Sequence, residues 1–177
     1  MVSNQDKWQE TAEASYDRPM GVTLLAILLL VSGGAMAITQ VMNFNALNEA
    51  SDVLGVSSTF LQISVAFIGG LGIAAAAGMW FGLRWGWWLA LFYFAYAICR
   101  NVNVMITIFS LADELGSTMT YYIKYGIRVA WNAFLIAYLC RETASWYFKT
   151  NDTKKWKPLA AAFGAAIALF VVGSLTQ

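Results

Sequence analysis

Five long apolar stretches follow one another along the chain, separated by short polar segments. They cover about 21–42, 60–83, 87–111, 121–140 and 158–176. A helix needs about 20 mostly apolar residues to cross a hydrocarbon core of roughly 30 Å, and each stretch approaches or reaches that length. The pattern predicts an all-α fold, an integral membrane bundle of four core transmembrane helices with a fifth helix after them.

The polar segments complete the predicted organisation. Residues 1–17 form a polar N-terminal segment without the short charged start of a secretory signal, so no cleaved peptide is expected. Residues 18–148 form the four-helix core, 149–157 a basic linker, and 158–176 the fifth helix. This last stretch is short and rich in alanine. It either crosses the membrane or packs against the bundle or lies obliquely, and crossing is the prediction.

Lysine and arginine are concentrated on one side of this topology, at Lys7, Arg18, Arg84 and from Arg141 to Lys157. The loops on the other side, 43–59 and 112–120, contain neither residue type. Because cytoplasmic loops carry an excess of these cations, the pattern predicts a multi-pass protein of the cell (plasma or inner) membrane with a cytoplasmic N-terminus. If the fifth helix crosses, the C-terminus lies outside. Six tryptophans, which favour membrane interfaces, gather on the cytoplasmic side: Trp80, Trp85, Trp87, Trp88, Trp146 and Trp156.

Small residues at spacing four predict where the helices pack, because apolar side chains gain little by leaving lipid and close backbone approach decides association. The second stretch offers Gly70, Ala74 and Gly78, and the fifth offers Ala160, Gly164 and Ala168. We assign both sets to packing within the chain, with a subunit interface as the alternative.

Composition narrows the functional classes. Of 177 residues, 59% are hydrophobic and 12% are charged, against roughly 25% charged in a soluble domain. The chain has no histidine, the commonest metal ligand and general base, and no Gly-rich phosphate loop. We therefore expect no enzyme activity, no catalytic residues, no metal, no cofactor and no nucleic-acid partner. Cys99 and Cys140 fall on different helices and are interpreted as small buried apolar residues.

Three sequence motifs resemble a known group. The opening Arg18-Pro19-Met20-Gly21-Val22, the run Gly78–Leu91 with its four tryptophans, and Tyr138-Leu139-Cys140-Arg141-Glu142 are similar to a family of small, uncharacterised prokaryotic four-helix integral membrane proteins. The resemblance covers about 18–148. It implies the four-helix core but no activity, and the fifth helix is an addition to that pattern.

Cations inside two predicted spans suggest a binding site. Arg100 lies about 13 residues into the third helix, roughly 20 Å from the inner boundary at 1.5 Å per residue, and Arg128 lies at a similar level on the fourth. A charge at such depth costs at least about 2.5 kcal/mol, so it should face protein, a polar cavity or a lipid headgroup. The predicted site is a basic pocket between these helices in the outer half of the bundle: Arg100, Arg128, Lys124, Asn103, Asn132 and Tyr96.

Three cations without a carboxylate in any span require a compensating anion. The loop acids Glu49, Asp52, Asp113 and Glu114 could fold back onto them, or a lipid phosphate, another anion or a substrate could bind.

Three functions remain open: a non-catalytic accessory or assembly subunit of a larger membrane complex, which we favour; binding or transport of a lipid or small anion through the basic pocket; and an enzyme acting on a lipid-linked substrate. The expected partners are membrane lipids and other membrane-protein subunits.

Overall fold

The computed structural model describes residues 18–43, 58–110, 118–150, 154 and 156–175. Within these ranges the chain forms six α-helices and no strand, which confirms the all-α prediction. They are α1 (Met20–Met42), α2 (Ser58–Trp80), α3 (Arg84–Ser110), α4 (Met119–Leu139), α5 (Glu142–Tyr147) and α6 (Trp156–Leu175). The five long helices begin and end within three residues of the predicted stretches. The short α5 was not predicted.

Helix α3 is the centre of the bundle. It packs against α2, α4 and α6, while α1 packs along α2. Side-chain contacts from Arg18 to Trp80 and from Trp87 to Leu139 bring the start of α1, the end of α2, the start of α3 and the end of α4 together at one end. We call the half of the bundle at this end, which includes α5, the packed half. The half that holds the end of α3 and the start of α4 is the open half.

The hydrophobic core lies in the packed half. Its largest fully buried side chains come from four different helices and the end of α5, and include Leu29, Met79, Trp87, Phe94, Leu139 and Phe148. The indole Nε1 of Trp87 donates a buried hydrogen bond of 3.0 Å to the carbonyl of Leu139. The last carbonyls of a helix have no partner within the helix, so this bond satisfies one that packing would otherwise leave buried and unpaired.

A tight turn joins α2 to α3, three residues earlier than the predicted Arg84-Trp85-Gly86. Gly82 takes the left-handed conformation with φ of +65°, and α3 already begins at Arg84. The amide of Leu83 donates to the carbonyl of Gly78 and that of Gly82 to Met79, the pair of bonds that commonly closes a helix on a glycine. Because both residues are glycine, either Gly82 or Gly86 could form such a turn. The contacts between α2 and α3 determine which of the two does.

Gly86 instead lies within α3, where it allows close packing against α2. A Cβ on Gly86 would overlap the backbone of Gly78, so the two glycines allow α2 and α3 to approach at backbone distance. Gly33 of α1 makes the same kind of contact with α2, where an added Cβ would lie 2.9 Å from the carbonyl oxygen of Gly69. Of the predicted packing residues of α2, Gly78 is buried, Ala74 is half-buried, and Gly70 is exposed with open space beside it.

Helix α6 packs on α3 through a different stripe from the predicted one. Ala162 is 5% exposed and Ala166 is 0% exposed, whereas the predicted Ala160, Gly164 and Ala168 are all exposed. Two residues correspond to more than half a turn at 3.6 residues per turn, so the two stripes lie on opposite sides of the helix. Both stripes consist of small residues, and spacing alone could not choose between them.

Within the described ranges, two helices, α1 and α3, are by length and composition apolar enough to cross a membrane. The described parts of α2 and α6 contribute the shorter apolar runs Val65–Trp80 and Trp156–Leu169. These features indicate association with a membrane. A bundle in which four or five helices span it stays a prediction.

Candidate functional site

The predicted basic residues lie on exposed surfaces. Arg100, Asn103, Lys124 and Arg128 are exposed, and Tyr96 and Asn132 are half-buried. The guanidinium of Arg128 lies 5.4 Å from the ring centroid of Tyr125, and the amide of Asn132 donates to the carbonyl of Arg128 at 2.7 Å. Both of these contacts are within α4. The structure therefore does not enclose the two arginines between α3 and α4.

Helix geometry explains this placement. The faces of α3 and α4 that are turned toward each other in the open half carry Phe109 and Gly126. Arg100 is nine residues from Phe109, which is two and a half turns at 3.6 residues per turn, so it points to the other side of α3. Lys124 and Arg128 are each two residues from Gly126 and point away on α4. Binding of an anion or lipid by these cations stays a prediction. The loop acids expected to pair with them, Glu49, Asp52, Asp113 and Glu114, lie outside the described residues.

The polar side chain that α3 buries is Asn101, the neighbour of Arg100. Its amide donates to the carbonyl of Ala97 at 2.6 Å, a bond within its own helix. A helical pattern could have located it, because Asn101 follows the buried Phe94 by seven residues and precedes the buried Ile108 by seven. Residues seven apart lie on nearly the same side of a helix.

An apolar cleft of about 750 Å³ opens between α3 and α4 in the open half. The α3 wall consists of Val102, Met105, Ile106 and Phe109, and the α4 wall of Tyr122, Gly126, Val129 and Ala130. The two helices are antiparallel, so Phe109 and Tyr122 lie at the outer end of the cleft and Val102 and Ala130 at the deep end. The cleft runs along the helices for about two turns.

Tyr122 lines the outer end of this cleft. Its hydroxyl is buried and has no hydrogen-bond partner among the residues that the structure describes. In the same part of the chain, nothing lies within 4 Å of a Cβ added to Gly126, one turn further along α4. A buried hydroxyl without a partner costs about 1–3 kcal/mol, which a hydrogen-bond acceptor that reached it would remove.

A second group of polar side chains lies at the end of the packed half. The guanidinium of Arg18 lies over the ring of Trp80, 4.2 Å from its centroid. Arg84 donates through Nε to the carbonyl of Lys149 at 2.7 Å and also through Nη2. Arg141, Lys149, Lys154 and Lys157 are exposed at this end. Five exposed tryptophans accompany these cations: Trp80, Trp85, Trp88, Trp146 and Trp156.

Comparison of the chain with models of protein families, with curated proteins and with solved structures gives no match. The resemblance to small four-helix membrane proteins therefore stays a prediction.

Proposed function

We propose that this chain is a multi-pass protein of the cell membrane whose packed half faces the cytoplasm. Large apolar side chains cover the outer surfaces of its long helices, among them Leu24 and Val31 of α1, Phe109 of α3, Phe134 of α4 and Ile167 of α6. Soluble monomers rarely expose contiguous apolar surface larger than a few hundred Å². A hydrocarbon environment accounts for this surface without cost.

The distribution of charge supports the proposed orientation. Helices α1 and α2 contain no charged residue, and the cations of the packed half collect at its end beside exposed tryptophans. Tryptophan rings favour the membrane interface, and cytoplasmic segments are enriched in lysine and arginine. The end of the packed half has the chemistry of a cytoplasmic interface.

Single cysteines test the orientation. In a background with Cys99 and Cys140 replaced by serine, Met119→Cys at the start of α4 and Lys154→Cys before α6 both place a thiol at an exposed position. We expect an impermeant thiol reagent on intact cells to label only the first variant, and the second only after permeabilisation. Labelling of both from outside contradicts the proposed topology.

Within this class we propose that the protein is a non-catalytic accessory or assembly subunit of a larger membrane complex. The observation that carries the proposal is the exposed small-residue stripe of α6, Ala160, Gly164 and Ala168. In lipid, such stripes let two helices approach closely and stabilise their association. The side of α6 that packs on α3 is a different one, so this stripe is available to a helix of another subunit.

Native mass spectrometry after purification in gentle detergent tests the subunit role. We expect a complex of defined mass that contains a second protein. The substitution Gly164→Leu should abolish it, because a bulky side chain keeps the partner helix away. Ala165→Leu adds a similar bulk beside the stripe and serves as the matched control. A homogeneous homo-oligomer without a partner, or equal loss in both variants, contradicts the proposal.

A second function is favoured by the cleft between α3 and α4. We propose that it holds one acyl chain of a lipid, with the ester carbonyl accepting a hydrogen bond from Tyr122. The walls are apolar along the whole length, and the outer end is lined by Tyr122, whose buried hydroxyl has no hydrogen-bond partner among the described residues. An acyl ester matches this arrangement, because it has a polar ester group at one end of a long apolar chain. A transmembrane helix would bring no free acceptor, since its backbone carbonyls are bonded within the helix.

Lipid that co-purifies with the protein tests this function. Gly126→Leu fills the open wall of the cleft and should reduce the bound lipid, measured by mass spectrometry of the intact complex. Gly70→Leu adds the same side chain at an equally open glycine of α2 and should leave the bound lipid unchanged. Tyr122→Phe should speed lipid loss in detergent without changing the fold. Equal lipid retention in Gly126→Leu and Gly70→Leu contradicts the assignment.

A further inference from the structure

Arg18 is a cation at the end of the packed half that forms no ion pair with any residue the structure describes. Its guanidinium is held by stacking on Trp80, at 4.2 Å from the ring centroid. Its Nε is buried and has no hydrogen-bond partner. Glu142 is the only carboxylate side chain in the part of the chain that the structure describes, and no ion pair between it and Arg18 is formed there. Stacking therefore orients this guanidinium, and no carboxylate of the described residues neutralises it.

The start of α1 adds further donors beside Arg18. The amides of Val22 and Thr23 both donate to the carbonyl of Pro19, so the helical ladder begins there. The amides of Met20 and Gly21 precede that ladder, and the first N–H groups of a helix have no acceptor within it. Pro19 provides no side-chain cap, and the first turn contains no acidic residue. Among the described residues, none compensates the N-terminal end of this helix dipole.

Tyr138 of α4 reaches the same place. Its ring and hydroxyl lie against the backbone of Gly21, where any Cβ would overlap them. Glycine at this position therefore lets a phenolic hydroxyl lie at the start of α1. The start of α1 thus has three kinds of hydrogen-bond donor on or beside it: Arg18, two residues before the helix, the first amides of α1, and this hydroxyl.

We propose that this region, the α1 anion site, binds a phosphate group. A planar guanidinium matches two phosphate oxygens at once, and stacking on an indole fixes its plane without using its donors. Helix N-termini favour the same kind of anion. The phosphate comes either from a phospholipid headgroup or from a soluble phosphate compound. The headgroup source rests on the proposed membrane location, because Trp80 is 45% exposed and would lie at the interface.

Binding measurements on the full-length protein in a neutral detergent test the site. The probe is a short-chain phosphatidylglycerol, and inorganic phosphate is titrated in parallel. We expect Arg18→Gln to raise the Kd for the lipid at least about tenfold, a loss of about 1.4 kcal/mol. The control Lys154→Gln removes the same charge from an exposed residue at the same end and should change the Kd less than about threefold.

A charge-conserving variant distinguishes a specific phosphate site from nonspecific electrostatic attraction. Arg18→Lys keeps the positive charge but loses the planar fork, so it should also weaken binding clearly, and it provides the test if Arg18→Gln fails to fold. Binding of inorganic phosphate to the wild type identifies a soluble ligand, whereas binding of the lipid alone identifies a headgroup. Equal Kd values in Arg18→Gln and wild type, or equal weakening in Lys154→Gln, overturn the α1 anion site. Because the measurement is made in detergent, its failure leaves the cysteine-labelling test of membrane topology unaffected.

Discussion

Helix α4 shows the difference between the two halves of the bundle within a single element. Its last two turns bury Leu135, Ile136 and Leu139 against the core, and Trp87 bonds the final carbonyl. None of its described residues before Leu135 is buried, and the cleft opens along this part. The first part also carries Lys124, Arg128 and Asn132, whereas the last two turns carry no charge. On the side that faces α3, however, both parts are apolar, so apolar character on the facing side alone does not produce packing in this protein.

Close backbone contact and specific hydrogen bonds distinguish the packed half. The α2–α3 contact at Gly78 and Gly86 lies there, as do the bonds from Trp87 to Leu139 and from Arg84 to Lys149. In the open half, no atom of the described residues lies within 4 Å of a Cβ added to Gly126, and none bonds the hydroxyl of Tyr122. Where helices are surrounded by lipid, small residues and polar bonds provide the difference in free energy that apolar contact provides in water.

A substitution that pushes α2 away from α3 should cause the largest loss of stability, and this loss should be specific to the packed half. Gly86→Ala places a Cβ on the backbone of Gly78, which cannot move aside as a flexible side chain would. We expect the free energy of unfolding, measured in mixed micelles, to fall by about 3 kcal/mol, at the upper end of the usual range for overpacking. Gly126→Ala in the open half is the control and should be neutral or slightly stabilising. Similar losses for both would remove the distinction between the halves.

Removal of the indole donor should have an intermediate effect. Trp87→Phe keeps an aromatic ring in the core but leaves the buried carbonyl of Leu139 without its partner. The expected loss in the free energy of unfolding is about 2 kcal/mol, mostly from the unpaired carbonyl. Trp131→Phe, at an exposed position of the open half, is the matched control and should change stability by less than about 0.5 kcal/mol. If Trp87→Phe is as mild as this control, the hydrogen bond does not stabilise the packed half.

A substitution in the turn after α5 should increase the stability of the protein instead of lowering it. Lys149 has φ of +53°, a left-handed conformation that costs a side chain other than glycine roughly 1–2 kcal/mol. Arg84 binds the carbonyl of this residue, which Lys149→Gly retains. We expect this substitution to stabilise the protein by about 0.5 kcal/mol after the larger backbone entropy of glycine is subtracted. Gly82→Ala at the other left-handed turn should destabilise it, and a loss of stability in Lys149→Gly would show that its side chain matters more than its backbone strain.

The sequence by itself determined the helical class, the ends of the five long helices to within three residues, and the gathering of cations and tryptophans at one end. These properties depend on local runs of apolar residues and on the order of charges, which are properties of the chain before it folds. The position of Gly82 as a possible turn residue is also local, although the sequence placed the turn at Arg84–Gly86.

Only the tertiary structure decided which side of each helix faces a neighbour. A rotation of one residue, about 100° at 3.6 residues per turn, buries Asn101 and exposes Arg100. A shift of two residues exchanges Ala160, Gly164 and Ala168 for Ala162 and Ala166 on α6. Each alternative has nearly the same composition, so its local free energy is nearly the same. The contacts between helices supply the difference, and they exist only once the bundle has formed.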